Sequence, residues 1–216
     1  MFSLAEKIRA VMRIRPEDNV HPEVAKNFKH NVITNTVDIT FFFFADSFVN
    51  LNTIMTVFAA TLTRDPMVIG LIPAIATTGW YLPQLFMAGY VSRLSKKMPV
   101  CNRMGAVERL PYLFLPLLAI SIPKLGNEKA ATLLLILTTF RGLFAGLMAL
   151  PWQELTASVI PMSHRSRYWG LSRVSGQIAG MIGSVISAIL LAKLPYPTNF
   201  AVGFSIAVVA QWISFY

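Results

Sequence analysis

The sequence predicts an all-α fold, a multi-pass transmembrane bundle of six helices, and three observations carry that prediction. Hydrophobic residues make up 55% of the chain and charged residues 13%, against roughly a quarter charged in soluble domains. The apolar residues fall into six blocks, most of them as long as a bilayer is thick. Basic residues gather in every second connection between those blocks. A spanning helix needs about 20 mainly apolar residues, because each residue rises ~1.5 Å through a hydrocarbon core ~30 Å thick. The blocks are 32–62, 67–91, 106–122, 130–160, 169–191 and 200–216. None alternates polar and apolar residues over the ~10 positions of a barrel strand.

Residues 1–31 form a basic tail with Lys7, Arg9, Arg13, Arg15, Lys26 and Lys29. Charge interleaved with apolar residues leaves no uninterrupted core for a secretory signal. Leu4, Ile8 and Val11 recur at helical spacing. That pattern fits a short interfacial helix and equally a solvated tail. Pro16 and Pro22 would end such a helix early.

In the first block Asn35, Asp46, Asn50 and Thr53 lie within about 60° of one another at ~100° per residue, and Asp38 lies about 80° from Asp46. One face of that helix is polar and acidic. Acids inside spans mark functional sites by default, so Asp46, Asp38 and Asn50 are site candidates. The fourth block carries Arg141 some 11 residues, or ~16 Å, from its start. An arginine at that depth costs at least ~2.5–3.5 kcal/mol to insert and needs a partner or water. Asp46 lies at matching depth. Gly142 and Gly146 invite close helix approach. The fifth block has Arg173, Gln177, Ser184 and Ser187 on one stripe and Gly176, Gly180 and Gly183 beside it. The glycines read as packing. The polar stripe suits an aqueous path, with Gln177 as a site candidate; for Arg173, snorkelling to the cytoplasmic surface is the alternative. Pro73, Pro83, Pro111, Pro116 and Pro151 are expected to kink or interrupt the remaining helices.

Orientation follows from lysine and arginine, which are retained on the cytoplasmic side. Arg93, Lys96, Lys97, Arg103 and Arg109 sit in or at the edges of the second-to-third loop, and Arg165, Arg167 and Arg173 in the fourth-to-fifth connection. The alternate loops hold only Arg64, Lys124, Lys129 and Lys193. The N-terminus is therefore expected in the cytoplasm, with the chain in the cell membrane. This asymmetry accounts for the net charge of +9, so a nucleic-acid partner is not called for. Cys101 reads as a free thiol in a cytoplasmic loop and His164 as a solvated loop residue. No spacing for a metal site, nucleophile or general base appears within a span, so neither cofactor nor enzymatic activity is expected.

The second-to-third loop reads GYVSRLSKKMP. Gly89, Arg93, Lys96 and Lys97 match in kind the best-known motif of the major facilitator superfamily of secondary transporters, which this chain resembles; Ser92 stands for the motif's aspartate and Ser95 for its second glycine. RGLFAG, beginning at Arg141, is similar to that family's arginine–glycine motif, and PMSHRSRYWGL, with Arg165 and Arg167, to its entry into the fifth helix. The glycine–proline signature of drug/proton antiporters is not reproduced in the fifth block. The resemblance implies the N-terminal six-helix half of a longer transporter; an intact six-helix protein that works as a dimer is the alternative. It also implies that the motif arginine ties its loop to neighbouring helix ends. Hence Gly89, Arg93, Lys97, Glu154, Arg165 and Arg167 are gate candidates, with Arg93 expected within salt-bridge reach of Glu154.

The function this reading supports is secondary transport of a small solute by alternating access. Asp46 and Arg141 are the candidates for substrate contact or proton coupling, since an acid whose neighbouring cation withdraws can take up a proton. The expected partners are the lipid bilayer, a small-molecule substrate and a second six-helix bundle. A multi-pass membrane enzyme and a non-transporting assembly subunit are the alternatives.

Overall fold

A computed structural model of the chain describes Ile14, residues 20–94 and residues 96–216. The interfacial-helix stripe of Leu4, Ile8 and Val11 and the motif position Ser95 lie outside the described residues. The described chain holds seven α-helices and no strand: α1 Pro22–Val49, α2 Ile54–Leu62, α3 Pro66–Val91, α4 Met98–Leu125, α5 Asn127–Val159, α6 Met162–Lys193 and α7 Thr198–Phe215. With α1 and α2 taken together as the first, six segments are long and apolar enough to cross a bilayer. The protein is a multi-pass membrane protein.

The first span differs from the single helix expected. It begins ten residues earlier, because Pro22 occupies the first helical turn, where its missing N–H is no loss, and His21 caps that turn by accepting from the Glu23 N–H. It also breaks at Asn50, whose backbone is extended. The Asn50 side-chain carbonyl accepts from the Asn52 N–H at 3.0 Å and from the Thr53 hydroxyl at 3.3 Å. Such a local side-chain turn competes with the helix ladder. The proposed continuous polar face therefore stops at Asn50, and Thr53 belongs to the break.

The other ends have local causes too. Asp65 caps α3 through a 2.8 Å bond from the Met67 N–H, with Pro66 next in line. Gly126 closes α4 at φ 83, a conformation that costs a side-chain-bearing residue more than glycine. Arg165 donates to the carbonyls of Ala157 and Ile160 at 2.6 and 3.1 Å, satisfying the C-terminal end of α5. Pro73, Pro83, Pro111, Pro116 and Pro151 all lie within helices that continue through them.

The five principal helix pairings are α1 with α6, α3 with α5, α4 with α5, α1 with α7, and α4 with α7. Numbered as spans, this set maps onto itself when spans one, two and three are exchanged with four, five and six. The bundle is thus two three-helix units in equivalent surroundings. Glycine serves both members of one pair of contacts that this exchange relates, α3 with α5 and α1 with α6. A Cβ on Gly79 of α3 would stand 2.7 Å from the Gly142 carbonyl carbon on α5, and one on Gly146 would meet Gly79 O and Pro83. Across the molecule, a Cβ on Gly176 of α6 would meet the Phe43 ring at 3.0 Å, and one on Gly183 the Ser47 hydroxyl and Phe44 carbonyl. In lipid, where no hydrophobic effect draws helices together, such backbone proximity is what holds them. The main apolar core lies where α1, α2, α4, α5 and α7 converge, around Phe48, Phe58, Tyr112, Leu134 and Phe204.

Candidate functional site

Two charged clusters thread the middle of the bundle. In the first, Asp46 of α1 faces Arg141 of α5. The Arg141 Nη2 donates to Asp46 Oδ1 at 3.2 Å, and the Asn50 amide donates to the other carboxylate oxygen at 2.7 Å. Arg141 also donates through Nε to the Tyr112 hydroxyl at 2.6 Å, and its guanidinium carbon lies 5.0 Å from the centroid of that ring. The arginine is nearly enclosed, at 11% side-chain exposure, whereas Asp46 retains 26%. A cation surrounded by a carboxylate, a phenol and a ring face meets the requirement for burying charge in a span.

The second cluster centres on Arg109 of α4, whose side chain is 3% exposed. Its Nε donates to the Gln211 carbonyl at 2.9 Å and its Nη1 to the Gly105 carbonyl at 3.1 Å. It reaches Glu108 at 3.1 Å, Asp38 at 4.0 Å and the Ser214 hydroxyl at 3.2 Å. Ser214 in turn donates to Asp38 at 2.5 Å, and the Trp152 indole N–H donates to the other Asp38 oxygen at 3.2 Å. Gln211 joins the clusters: its backbone carbonyl accepts from Arg109 and its side-chain amide donates to the Tyr112 hydroxyl at 3.3 Å. One connected polar network therefore runs through α1, α4, α5 and α7.

A cavity of about 740 Å³ lies against the second cluster, its wall running from Asp38, Glu108 and Arg109 to Glu154 and Arg165 beside the α5–α6 connection. Phe42, Phe43, Trp80, Trp152 and Trp169 supply most of its aromatic surface, and Arg173 joins them. The size falls within the usual ~300–1,000 Å³ of small-molecule sites. Asp46 and Arg141 are not in the cavity wall. Asp46 is eight residues, or ~12 Å of helix, beyond Asp38, so the first cluster closes the polar path beyond the cavity.

The structure brings Asp46, Arg141 and Asn50 together and sets Asp38 in the cavity wall. It does not bring Gln177 to either place: Gln177 is exposed on α6, outside the wall. The anticipated Arg93–Glu154 tie is also corrected. The cation bound to Glu154 is Lys97, at 2.8 Å, while Arg93 lies in the turn that ends α3, and no ion pair of Arg93 occurs among the described residues. Lys97 stands at the N-cap of α4, and the packing of α4 against α5 brings it to Glu154 near the end of α5. Gly89 is exposed with open space around it, Arg167 is exposed on α6, and Arg165 is the α5 cap described above.

Two residues assigned to loops lie inside helices, and Arg109, set at the edge of the second-to-third loop at the start of the third block, is buried well inside α4, which begins at Met98, eight residues ahead of that block. Cys101 is buried in the first turns of α4. His164 is buried in the first turn of α6, with its ring 5.2 Å from Phe28. Sequence reasoning also missed Glu108, Tyr112, Gln211 and Ser214. The available signal was their spacing, since Arg109 and Tyr112, like Gln211 and Ser214, stand three apart and so share a helix face.

Among the described residues no group of three or more His, Cys, Asp or Glu could hold a metal ion. No protein-family model matches the chain, and neither the curated proteins nor the solved structures compared with it yield a match.

Proposed function

We propose that this chain is one bundle of a secondary active transporter, which moves a small solute across the cell membrane by alternating access with its N-terminus in the cytoplasm. The observation that carries the reading is the Asp46–Arg141 pair. It joins the first span of one three-helix unit to the first span of the other, and beyond it lies a cavity of solute size. Two equivalent units around a midplane site form the arrangement from which rocking transporters are built. Opening a path past this pair means separating its charges, and a separated charge needs a replacement partner. A proton on Asp46 or a polar group of the solute at Arg141 would each serve. Solute or proton binding is thereby tied to the conformational change, as coupled transport demands. The second bundle would close the cavity from its open side.

The test is solute uptake by cells expressing the complete reading frame that contains these residues, with labelled sugars, amino acids and organic ions offered with and without a pH gradient. Concentrative uptake of at least one solute is expected, reduced about tenfold or more in D46N and R141Q variants that still reach the membrane. Uptake equal to the parent in both variants would remove the pair from the mechanism, and no gradient-dependent uptake of any solute would reject the transporter reading.

A further inference from the structure

The cavity wall carries two guanidinium groups, those of Arg165 and Arg173, that form no ion pair among the described residues. Its three acids all have partners: Asp38 and Glu108 share Arg109, Asp38 also accepts from Ser214 and Trp152, and Glu154 is bound by Lys97. Arg165 donates to two backbone carbonyls, which bear no net charge. Arg173 makes no ion pair or hydrogen bond among the described residues. Its guanidinium lies instead over two rings, 5.6 Å from the Phe43 centroid and 5.7 Å from that of Trp169. Stacking engages the flat faces of a guanidinium and leaves its N–H fork, which lies in the plane, available for a carboxylate. A cation held by aromatic rings and lacking its anion is a half-built anion site.

The remaining wall describes the rest of the ligand. Phe42, Trp80 and Trp152 come from three different helices and face the cavity together with Arg173. A sugar of this volume would need several uncommitted hydrogen-bonding groups, yet the Trp152 N–H is held by Asp38 and the Thr156 hydroxyl by Asn35, which leaves Gln153 as the one neutral amide or hydroxyl side chain of the described wall to serve it. An organic cation would have to compete with Arg109 and Lys97 for the wall acids, and it would find two of the rings already covered by Arg173. We propose that the cavity binds an amphipathic organic anion, its carboxylate on Arg173 and a flat apolar body against Phe42, Trp80 and Trp152. Arg165, eight residues before Arg173 on α6 and thus ~12 Å nearer the α5–α6 connection, draws the anion in. Only the claim that this anion is cargo rests on the transport reading.

The purified protein in phosphatidylcholine nanodiscs is titrated calorimetrically with 2-naphthoate, 2-naphthylmethylammonium and 2-naphthylmethanol, which share one ring system and differ in charge. Naphthoate is expected to bind at least about tenfold more tightly than the other two. R173Q should remove that preference and leave the alcohol's affinity unchanged, and R173K should restore part of it, keeping the charge without the fork. Ammonium or alcohol binding as tightly as naphthoate to the unmutated protein overturns the proposal without recourse to any variant, as does an R173Q protein with unchanged preference. In phosphatidylglycerol nanodiscs the preference should persist; its loss there would assign Arg173 to a lipid headgroup and overturn the proposal likewise. Naphthoate bound but never transported would remove the transport reading alone, whereas transport of other solutes without naphthoate binding would remove this proposal alone.

Discussion

Arg141 and Arg109 are both buried arginines near the middle of a helix, yet they are held in opposite ways. Arg141 has one carboxylate partner, Asp46, which is itself partly exposed and shares its other oxygen with Asn50 at a helix break. Arg109 is bound at several points at once, by two carbonyls, a hydroxyl, Glu108 and Asp38, with the Phe215 ring 5.0 Å away. A charge with one principal ionic partner can exchange it, whereas a charge fixed from three helices cannot without unfolding its surroundings. The first arrangement suits a moving part and the second a frame.

Truncating the frame should therefore have the largest effect. Arg109→Ala leaves Asp38 and Glu108 without their cation, and breaking a buried charge pair typically destabilises by about 3–5 kcal/mol. The expected result is loss of folded protein from the membrane fraction, read by size-exclusion chromatography after solubilisation. Arg141→Ala should cost less, about 1–3 kcal/mol, because Asp46 keeps its Asn50 bond and some access to polar surroundings. The pair D46N/R141Q should melt closer to the parent than R141Q alone, since losing both partners is milder than orphaning one. Equal destabilisation by the Arg109 and Arg141 truncations would erase the distinction between frame and moving part.

Gly146→Ala comes next. Its new Cβ would meet the Gly79 carbonyl and Pro83, neither of which is the flexible end of a side chain, and overpacking of that kind costs about 1–3 kcal/mol. Because Gly142 and Gly146 set the distance between α5 and α3, this change should also displace Arg141. Gly70→Ala, with nothing within 4 Å of the added carbon, is its control and should melt like the parent. The smallest effect belongs to Lys97→Ala. The Lys97–Glu154 bridge is largely exposed, so its loss should change stability by under about 1 kcal/mol. A shift well beyond that in the thermal melt would make the bridge part of the frame.

The difference between the two arginines also decided which of them could be read from the sequence. Asp46 and Arg141 each stand alone in a long apolar block, so depth and charge marked them without any knowledge of the fold. Arg109 sits in MPVCNRMGAVERL, where polar and apolar residues mix and the local pattern reads as the end of a loop. What lets its guanidinium be buried includes the Gln211 carbonyl and Ser214 hydroxyl of α7, about a hundred residues away. No local pattern encodes such a partner. Arg173 was visible as a charge, but its seat over Phe43 and Trp169 depends on how α6 lies against α1. The break at Asn50 did leave a trace, the cluster Asn50, Asn52 and Thr53, outweighed by the apolar residues on either side. The six spans were legible because their length and hydropathy are local properties. The α3–α5 contact was half legible, since Gly142 and Gly146 announced a close approach while Gly79 gave no sign of being the partner.

The claim on which the functional account depends is that the cavity is reached from each side of the membrane in turn. Ala145 lines the cavity wall and is small enough to become a cysteine with little disturbance, once Cys101 is replaced by serine. A single cysteine there is exposed to a membrane-impermeant maleimide in right-side-out and in inside-out vesicles. The account predicts labelling in both orientations, with the balance between them shifted by a bound solute. Labelling in one orientation only, whatever solute is present, would make the cavity a fixed vestibule and contradict alternating access.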